Sequence, residues 1–124
     1  MSKIDFFKNR VEATFSPMDY VKAKSMNPNH YVLLDVRNGK PEEKIEDAVM
    51  IPQSELVNHL SELPEDKELI VYCWDVWCNT ASKAALVLLE NGFSVKELSG
   101  GIAAWKTLNF PTISLLEADK GCGC

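Results

Sequence analysis

Leu69-Ile70-Val71-Tyr72-Cys73-Trp74-Asp75-Val76-Trp77-Cys78-Asn79-Thr80-Ala81-Ser82-Lys83-Ala84-Ala85 is the stretch whose reading decides the fold. It opens as a short β-branched apolar run, the pattern of a buried strand. It closes as an alanine-rich run with high helix propensity. Between them stand two cysteines, two tryptophans and one acid. A cysteine at the carboxyl end of a parallel strand, just ahead of a helix, is well placed for chemistry. Loop N–H groups and the helix dipole favour its thiolate and lower its pKa. Cys73 is therefore a candidate sulfur nucleophile. The competing reading is a buried structural cysteine, since free cysteine packs as a small hydrophobe.

On the N-terminal side, Ile4, Phe7 and Val11 recur at helical spacing, so residues 1–15 read as an amphipathic helical arm packed on the domain. Ser16-Pro17 then gives a helix start, with Ser16 as N-cap and proline in the first turn, and the helix runs to about Ser25. Asn27-Pro28-Asn29 ends it. Tyr31 to Arg37 reads as a central strand, apolar on both faces. Asn38 to Glu46 is polar and charged, and reads as a loop. Ala48 to Ile51 is a short strand closed by Pro52, and Ser54 caps a short helix through Leu60.

Beyond the cysteine loop a helix is predicted over Thr80–Glu90, with Ala84, Ala85, Leu88 and Leu89 facing the sheet. Asn91-Gly92 stops it. Val95 to Leu98 is a fourth strand, Gly100-Gly101 turn the chain, and a last helix runs from Ile102 to about Leu108. Phe110-Pro111 closes the compact part. Strands alternating with helices at this spacing imply an α/β domain, a small parallel sheet flanked by helices on both faces. The division is an arm at 1–15, one domain at 16–116, and a flexible tail at 117–124 carrying Cys122 and Cys124.

Composition sets the functional limits. The chain has 124 residues, 13 basic against 18 acidic, and a net charge of −5. That length supports one core. The acidic balance and the lack of a basic cluster argue against a nucleic-acid surface. No apolar run approaches membrane-spanning length. The charged N-terminus has no signal-peptide core, so the expectation is a cytoplasmic protein with reduced thiols. His30 and His59 lie near neither cysteine pair, so no metal and no cofactor is assigned.

Four segments together resemble a rhodanese-like domain of the thiosulfate sulfurtransferase superfamily. They are Leu33-Leu34-Asp35-Val36-Arg37, Ala48-Val49-Met50-Ile51-Pro52, Ile70-Val71-Tyr72-Cys73, and Gly92-Phe93 through Leu98-Ser99-Gly100-Gly101-Ile102-Ala103-Ala104-Trp105. They occur in the family's order over roughly residues 16–111. The resemblance implies a catalytic cysteine opening a cradle-shaped loop, and transfer of sulfane sulfur through a cysteine persulfide. Two segments depart from it. Glu43-Lys44-Ile45-Glu46-Asp47-Ala48 replaces a Gly-His-Ile-Pro-Gly-Ala-like stretch. The six positions Cys73-Trp74-Asp75-Val76-Trp77-Cys78 lack the family's glycine and arginine. The loop resembles a subgroup with a longer, cysteine-containing loop.

Cys78 has three readings: a relay that attacks a Cys73 persulfide, a disulfide partner if the Cα atoms approach within about 7 Å, or a pocket filler. Lys83 is the one cation close in sequence to the loop, and is either an anion contact or a solvated helix residue. Asp75 opposes a simple thiosulfate enzyme, because a carboxylate raises a thiolate's pKa and repels a dianion. Trp74 and Trp77 either line a mouth for a partner or pack as supports. Val76, Asn79 and Thr80 complete the substrate-binding loop. Asp35 and Arg37, two apart on a strand, point to one face and support the sheet's carboxyl edge. Trp105 is a core residue.

The functional expectation is a single-domain sulfurtransferase passing sulfur from a small donor through Cys73 to a thiol or protein acceptor, with low thiosulfate activity. Neither a nucleic acid nor a membrane is an expected partner, and no feature selects an oligomeric state. A phosphatase or arsenate reductase fits poorly, since that chemistry needs an arginine clamp and no arginine follows Arg37. The other class is a non-catalytic binding or redox-sensing module.

Overall fold

The computed structural model describes residues 2–116, so the tail expected at 117–124, with Cys122 and Cys124, lies outside the described residues. In chain order the elements are α1 (Lys3–Ala13), β1 (Thr14–Phe15), α2 (Pro17–Met26), β2 (Tyr31–Asp35), β3 (Glu43–Ile45) and β4 (Val49–Met50). Two 3₁₀ turns follow, at Gln53–Asn58 and Leu60–Glu62. After them come β5 (Glu68–Tyr72), α3 (Thr80–Glu90), β6 (Ser94–Leu98), α4 (Gly101–Thr107) and β7 (Thr112–Ser114).

Five parallel strands lie in the order β1-β6-β5-β2-β4. The central pair β5 and β2 is buried on both faces, as its continuous apolar runs require. Period-two alternation divides the core. Leu34, Val36, Leu69 and Val71 pack with Ala81, Ala84 and Leu88 of α3. Leu33, Ile70 and Tyr72 pack on the other face with Tyr20 of α2 and with Ile102 and Trp105 of α4. Ser16 caps α2, its hydroxyl accepting from the Asp19 N–H at 3.1 Å.

Several expectations are corrected. The arm meets the sheet only at its C-terminal end, where Lys96 donates to the Glu12 carbonyl; Ile4, Phe7 and Val11 are exposed, and against the described residues α1 buries none of its side chains. Thr14–Phe15 leaves the helix and pairs with Glu97 and Leu98 at the sheet's edge. The segment read as a loop at Asn38–Glu46 contains β3, antiparallel to β7. Its alternation is too short to signal a strand, and its partner lies far along the chain. The helix expected from Ser54 is a pair of 3₁₀ turns. Leu89 is exposed, and Ala81 takes its place against the sheet. The turn before β4 puts Asp47 at φ 71°, a left-handed position held by a non-glycine residue.

Candidate functional site

Alternation along β5 carries into the residues beyond it. Leu69, Val71 and Cys73 face α3, so Cys73 leaves the strand pointing into the α3 side of the core and is only 3% exposed. Its backbone is fixed from the opposite side. The Ile102 N–H donates to the Cys73 carbonyl and the Ala103 N–H to the Trp74 carbonyl, each at 3.0 Å. This needs close approach at Gly101, whose φ is +61°. A Cβ there would overlap the Cys73 carbonyl oxygen and stand 2.9 Å from the Trp74 carbonyl carbon. The first turn of α4 therefore clamps the start of the loop.

Cys73 and Cys78 are joined in a disulfide, with Cα atoms 6.5 Å apart. Of the three readings of Cys78, the structure displays the bonded pair, and Cys78 also packs against the α3-side core. Asp75 organises the span between them. Its Oδ1 accepts the Val76 N–H at 2.6 Å, and its carbonyl accepts the Cys78 N–H at 3.1 Å. Two loop N–H groups are thus already occupied. The Thr80 hydroxyl lies 3.3 Å from Cys78 Sγ, and since a disulfide sulfur carries no proton, the hydroxyl is the donor. Asn79 is the N-cap of α3, but its side chain makes no capping bond; its carbonyl accepts the Lys83 N–H. Val76 and Trp77 form the exposed crest of the loop.

A second group lies on the other face of the sheet. Arg37 and Asp35 form a buried ion pair, Nη2 to Oδ2 at 2.6 Å, with Nε donating to Oδ1 at 2.9 Å. Arg37 Nη2 also donates to the Glu43 carbonyl at 2.6 Å. The Tyr72 hydroxyl donates to Asp35 Oδ2 at 2.8 Å and accepts the Ile45 N–H at 3.0 Å. Burial, reinforced by the Asp35 carboxylate, pushes the Tyr72 phenol far above its ordinary value, so it stays a donor at any physiological pH. The Arg37 guanidinium also stacks over the Trp74 ring. Glu43 is held below the usual carboxylate range, first by its hydrogen bond from Lys106 and also by the Thr112 hydroxyl.

These residues border a cleft of about 530 Å³, lined by Arg37, Lys40, Trp74, Asp75, Trp77 and Lys106 among others. Trp74 and Trp77 thus share one mouth. Lys83, singled out for its closeness in sequence, stands on the exposed surface of α3, outside this lining. Among the described residues the cations lining the cleft are Arg37, Lys40 and Lys106, brought there by the chain just after β2, the β2–β3 connection and α4. Sequence distance hid the two lysines and the contact with Arg37. Tyr72 was readable in principle: a tyrosine in a doubly buried strand requires a partner for its hydroxyl. Among the described residues no three His, Cys, Asp or Glu side chains gather as a metal set. No described helix is long and apolar enough to cross a membrane.

Comparison with known proteins agrees with this fold. A family model described as the rhodanese-like domain matches residues 18–108. The thiosulfate sulfurtransferase GlpE of Pseudomonas syringae pv. syringae is 32% identical over 89 residues, covering 69% of this chain and 82% of that protein. The HTH-type transcriptional regulator Rv0324 of Mycobacterium tuberculosis is 33% identical over 84 residues, which cover 64% of this chain. The match spans only 36% of the regulator's length. Among solved structures, a full-length protein from Lactobacillus plantarum superposes with a TM-score of 0.83 at 31% identity, covering 91% of this chain and 97% of that one.

Proposed function

The chain belongs to the rhodanese-like family, and on that premise we propose that it is a sulfurtransferase in which Cys73 accepts sulfane sulfur as a persulfide and passes it to a thiol. The observation that carries this reading is the position of Cys73. It follows the central strand β5, opens the loop to α3, and has its carbonyl fixed by the Ile102 N–H. Open α/β sheets place their chemistry at this edge. Residues 16–116 form the catalytic unit in this reading, with Asp35 and Arg37 as its supports.

The disulfide-bonded form has no Cys73 thiol to accept sulfur, so the cycle starts from the reduced chain and belongs in a reducing compartment. The loop's electrostatics set the donor class. Arg37 is already neutralised by Asp35, Lys106 is paired with Glu43, and Asp75 occupies the Val76 N–H. Lys40 is the one cleft cation without an ion pair among the described residues, and Glu42 and Asp75 line the cleft with it, so little net positive field remains for a thiosulfate dianion. A persulfide or polysulfide donor works by thiol exchange and needs access more than charge. Trp74 and Trp77 offer it an apolar landing surface in the neighbouring cleft, whose lining includes neither Cys73 nor Cys78.

The test is steady-state turnover of the reduced chain with polysulfide and a thiol acceptor, against thiosulfate and cyanide. Faster thiol-dependent turnover, abolished in Cys73→Ser, supports the reading. Equal or better turnover with thiosulfate rejects the donor preference, and full activity of Cys73→Ser rejects the nucleophile. One observation favours a second reading, a non-catalytic redox-sensing module: the Cys73–Cys78 bond itself. A reduced chain that never takes up sulfur would leave that reading in place.

A further inference from the structure

The loop holds a second sulfur that the transfer of sulfur to an external thiol does not need. We propose that Cys78 resolves the Cys73 persulfide, so that the sulfur leaves as hydrosulfide and the loop closes to the Cys73–Cys78 disulfide. This replaces direct transfer to an external thiol by release inside the loop, the external thiol then serving to reopen the disulfide, and it rests on the persulfide formation at Cys73 of that reading.

The step balances within the loop. The Cys78 thiolate attacks Cys73 Sγ and a bond forms between the two cysteine sulfurs. The bond from Cys73 Sγ to the outer sulfur breaks, and the outer sulfur departs with the electron pair and its proton as hydrosulfide. The sulfane sulfur is reduced and the two cysteines are oxidised to a disulfide, with no outside oxidant.

Three observations place Cys78 for this attack. In the bonded pair its Cα lies 6.5 Å from that of Cys73, within the usual disulfide span of about 4.4–6.8 Å, so the product of the attack fits the loop. Both partners are held: the Ile102 N–H fixes the Cys73 carbonyl, and the Asp75 carbonyl fixes the Cys78 N–H. Finally, the Thr80 hydroxyl stands beside Cys78 Sγ at the start of α3, where no Asn79 side chain caps the helix. A hydroxyl donor and an uncapped helix start both favour a thiolate on Cys78. An attacking group already in place outcompetes a thiol that must diffuse in.

Exposure decides how the loop reopens. Cys73 is 3% exposed, while Cys78 is partly exposed. An incoming thiolate therefore meets the Cys78 sulfur, and Cys73 is the leaving thiolate. The mixed disulfide left on Cys78 is cleared by a second thiol, so the consuming partner is of the dithiol reductant class. One turnover then takes one sulfane sulfur and one dithiol, and yields hydrosulfide and a disulfide.

The experiment loads the fully reduced chain anaerobically with inorganic polysulfide, removes excess donor by desalting, and follows intact mass, disulfide mapping and released hydrosulfide with no acceptor added. The unmodified chain is compared with Cys78→Ser, Cys78→Ala, Cys73→Ser and a Cys122→Ser/Cys124→Ser double variant. Far-UV circular dichroism reports the fold of each. The unmodified chain and the tail double variant should lose the added sulfur as hydrosulfide and end with the Cys73–Cys78 bond. Both Cys78 variants should keep one added sulfur at least about tenfold longer. Equal sulfur retention with and without Cys78, release that needs Cys122 or Cys124, or sulfur stored on Cys78 in Cys73→Ser but not on Cys73 in Cys78→Ser would overturn the proposal. Failure of every form to gain sulfur is a separate result, and rejects the persulfide reading beneath it.

Discussion

The guanidinium carbon of Arg37 stands 4.3 Å from the centroid of the Trp74 ring. Arg37 is buried and bound to Asp35, while Trp74 is the first residue after the candidate nucleophile. The contact couples the end of the central strand β2 to the loop by a cation–π interaction. Its partner is half exposed, which places its worth at about 1 kcal/mol. Trp74→Ala should therefore unfold at a slightly lower temperature and should raise KM for a bulky persulfide donor more than it lowers kcat. A fall in kcat at unchanged KM would show that Trp74 sets the position of Cys73 instead of receiving the donor.

Tyr72 ties the sheet to β3. Tyr72→Phe leaves the Ile45 N–H unpaired and removes one donor from the Asp35 carboxylate. Leaving such buried groups unsatisfied costs about 1–3 kcal/mol. Urea unfolding should show a lower midpoint at unchanged slope. A change under about 0.5 kcal/mol would mean that the hydroxyl does not support this corner.

Asp75 is the loop's own negative charge and holds the Val76 N–H. Asp75→Asn keeps the acceptor oxygen but removes the charge. Thiosulfate turnover should rise on the order of tenfold, since in a water-like medium a unit charge about 4 Å from each charge of the dianion is worth about 1 kcal/mol. The reduced thiol should also react faster with an alkylating agent at neutral pH. Unchanged rates in both assays would clear Asp75 of any role in donor choice.

Glu43 gives the pH dependence. Its pKa is lowered in the folded chain, chiefly by the Lys106 hydrogen bond. The stability it contributes is therefore fully present above the ordinary glutamate range, and is lost as pH falls through the lowered folded value. Lys106→Met should move the acid unfolding midpoint to higher pH while costing at most about 1 kcal/mol at neutral pH, since the pair is partly exposed and screened by solvent. An acid midpoint that stays in place would remove Glu43 from the acid transition.

Where the sequence was legible, the reasons are local. The run at Leu69–Tyr72 with its helix at Thr80–Glu90 and the Ser16 cap are set by near neighbours, and the structure places them where the pattern does. What was hidden depends on distant partners. β3 exists because β7 pairs with it from the far end of the domain. β1 is two residues long and is defined by β6. The apolar face of α1 has the right period, yet periodicity names a face and not what covers it. The same limit applied to the site. Cys73, Trp74, Asp75 and Trp77 stand together in the sequence, whereas Lys40 and Lys106 reach the cleft only through the fold. Lys83 misled because it is near along the chain while its helix points it to solvent.

The claim that Cys73 is the sulfur-accepting residue is tested most directly by locating the sulfur. Reduced Cys78→Ser chain is treated with polysulfide, desalted, alkylated and mapped by peptide mass. The expected result is one added sulfur on the peptide containing Cys73, with none in a Cys73→Ser/Cys78→Ser double variant. Added sulfur found only on Cys122 or Cys124, or equal uptake by the double variant, would contradict it.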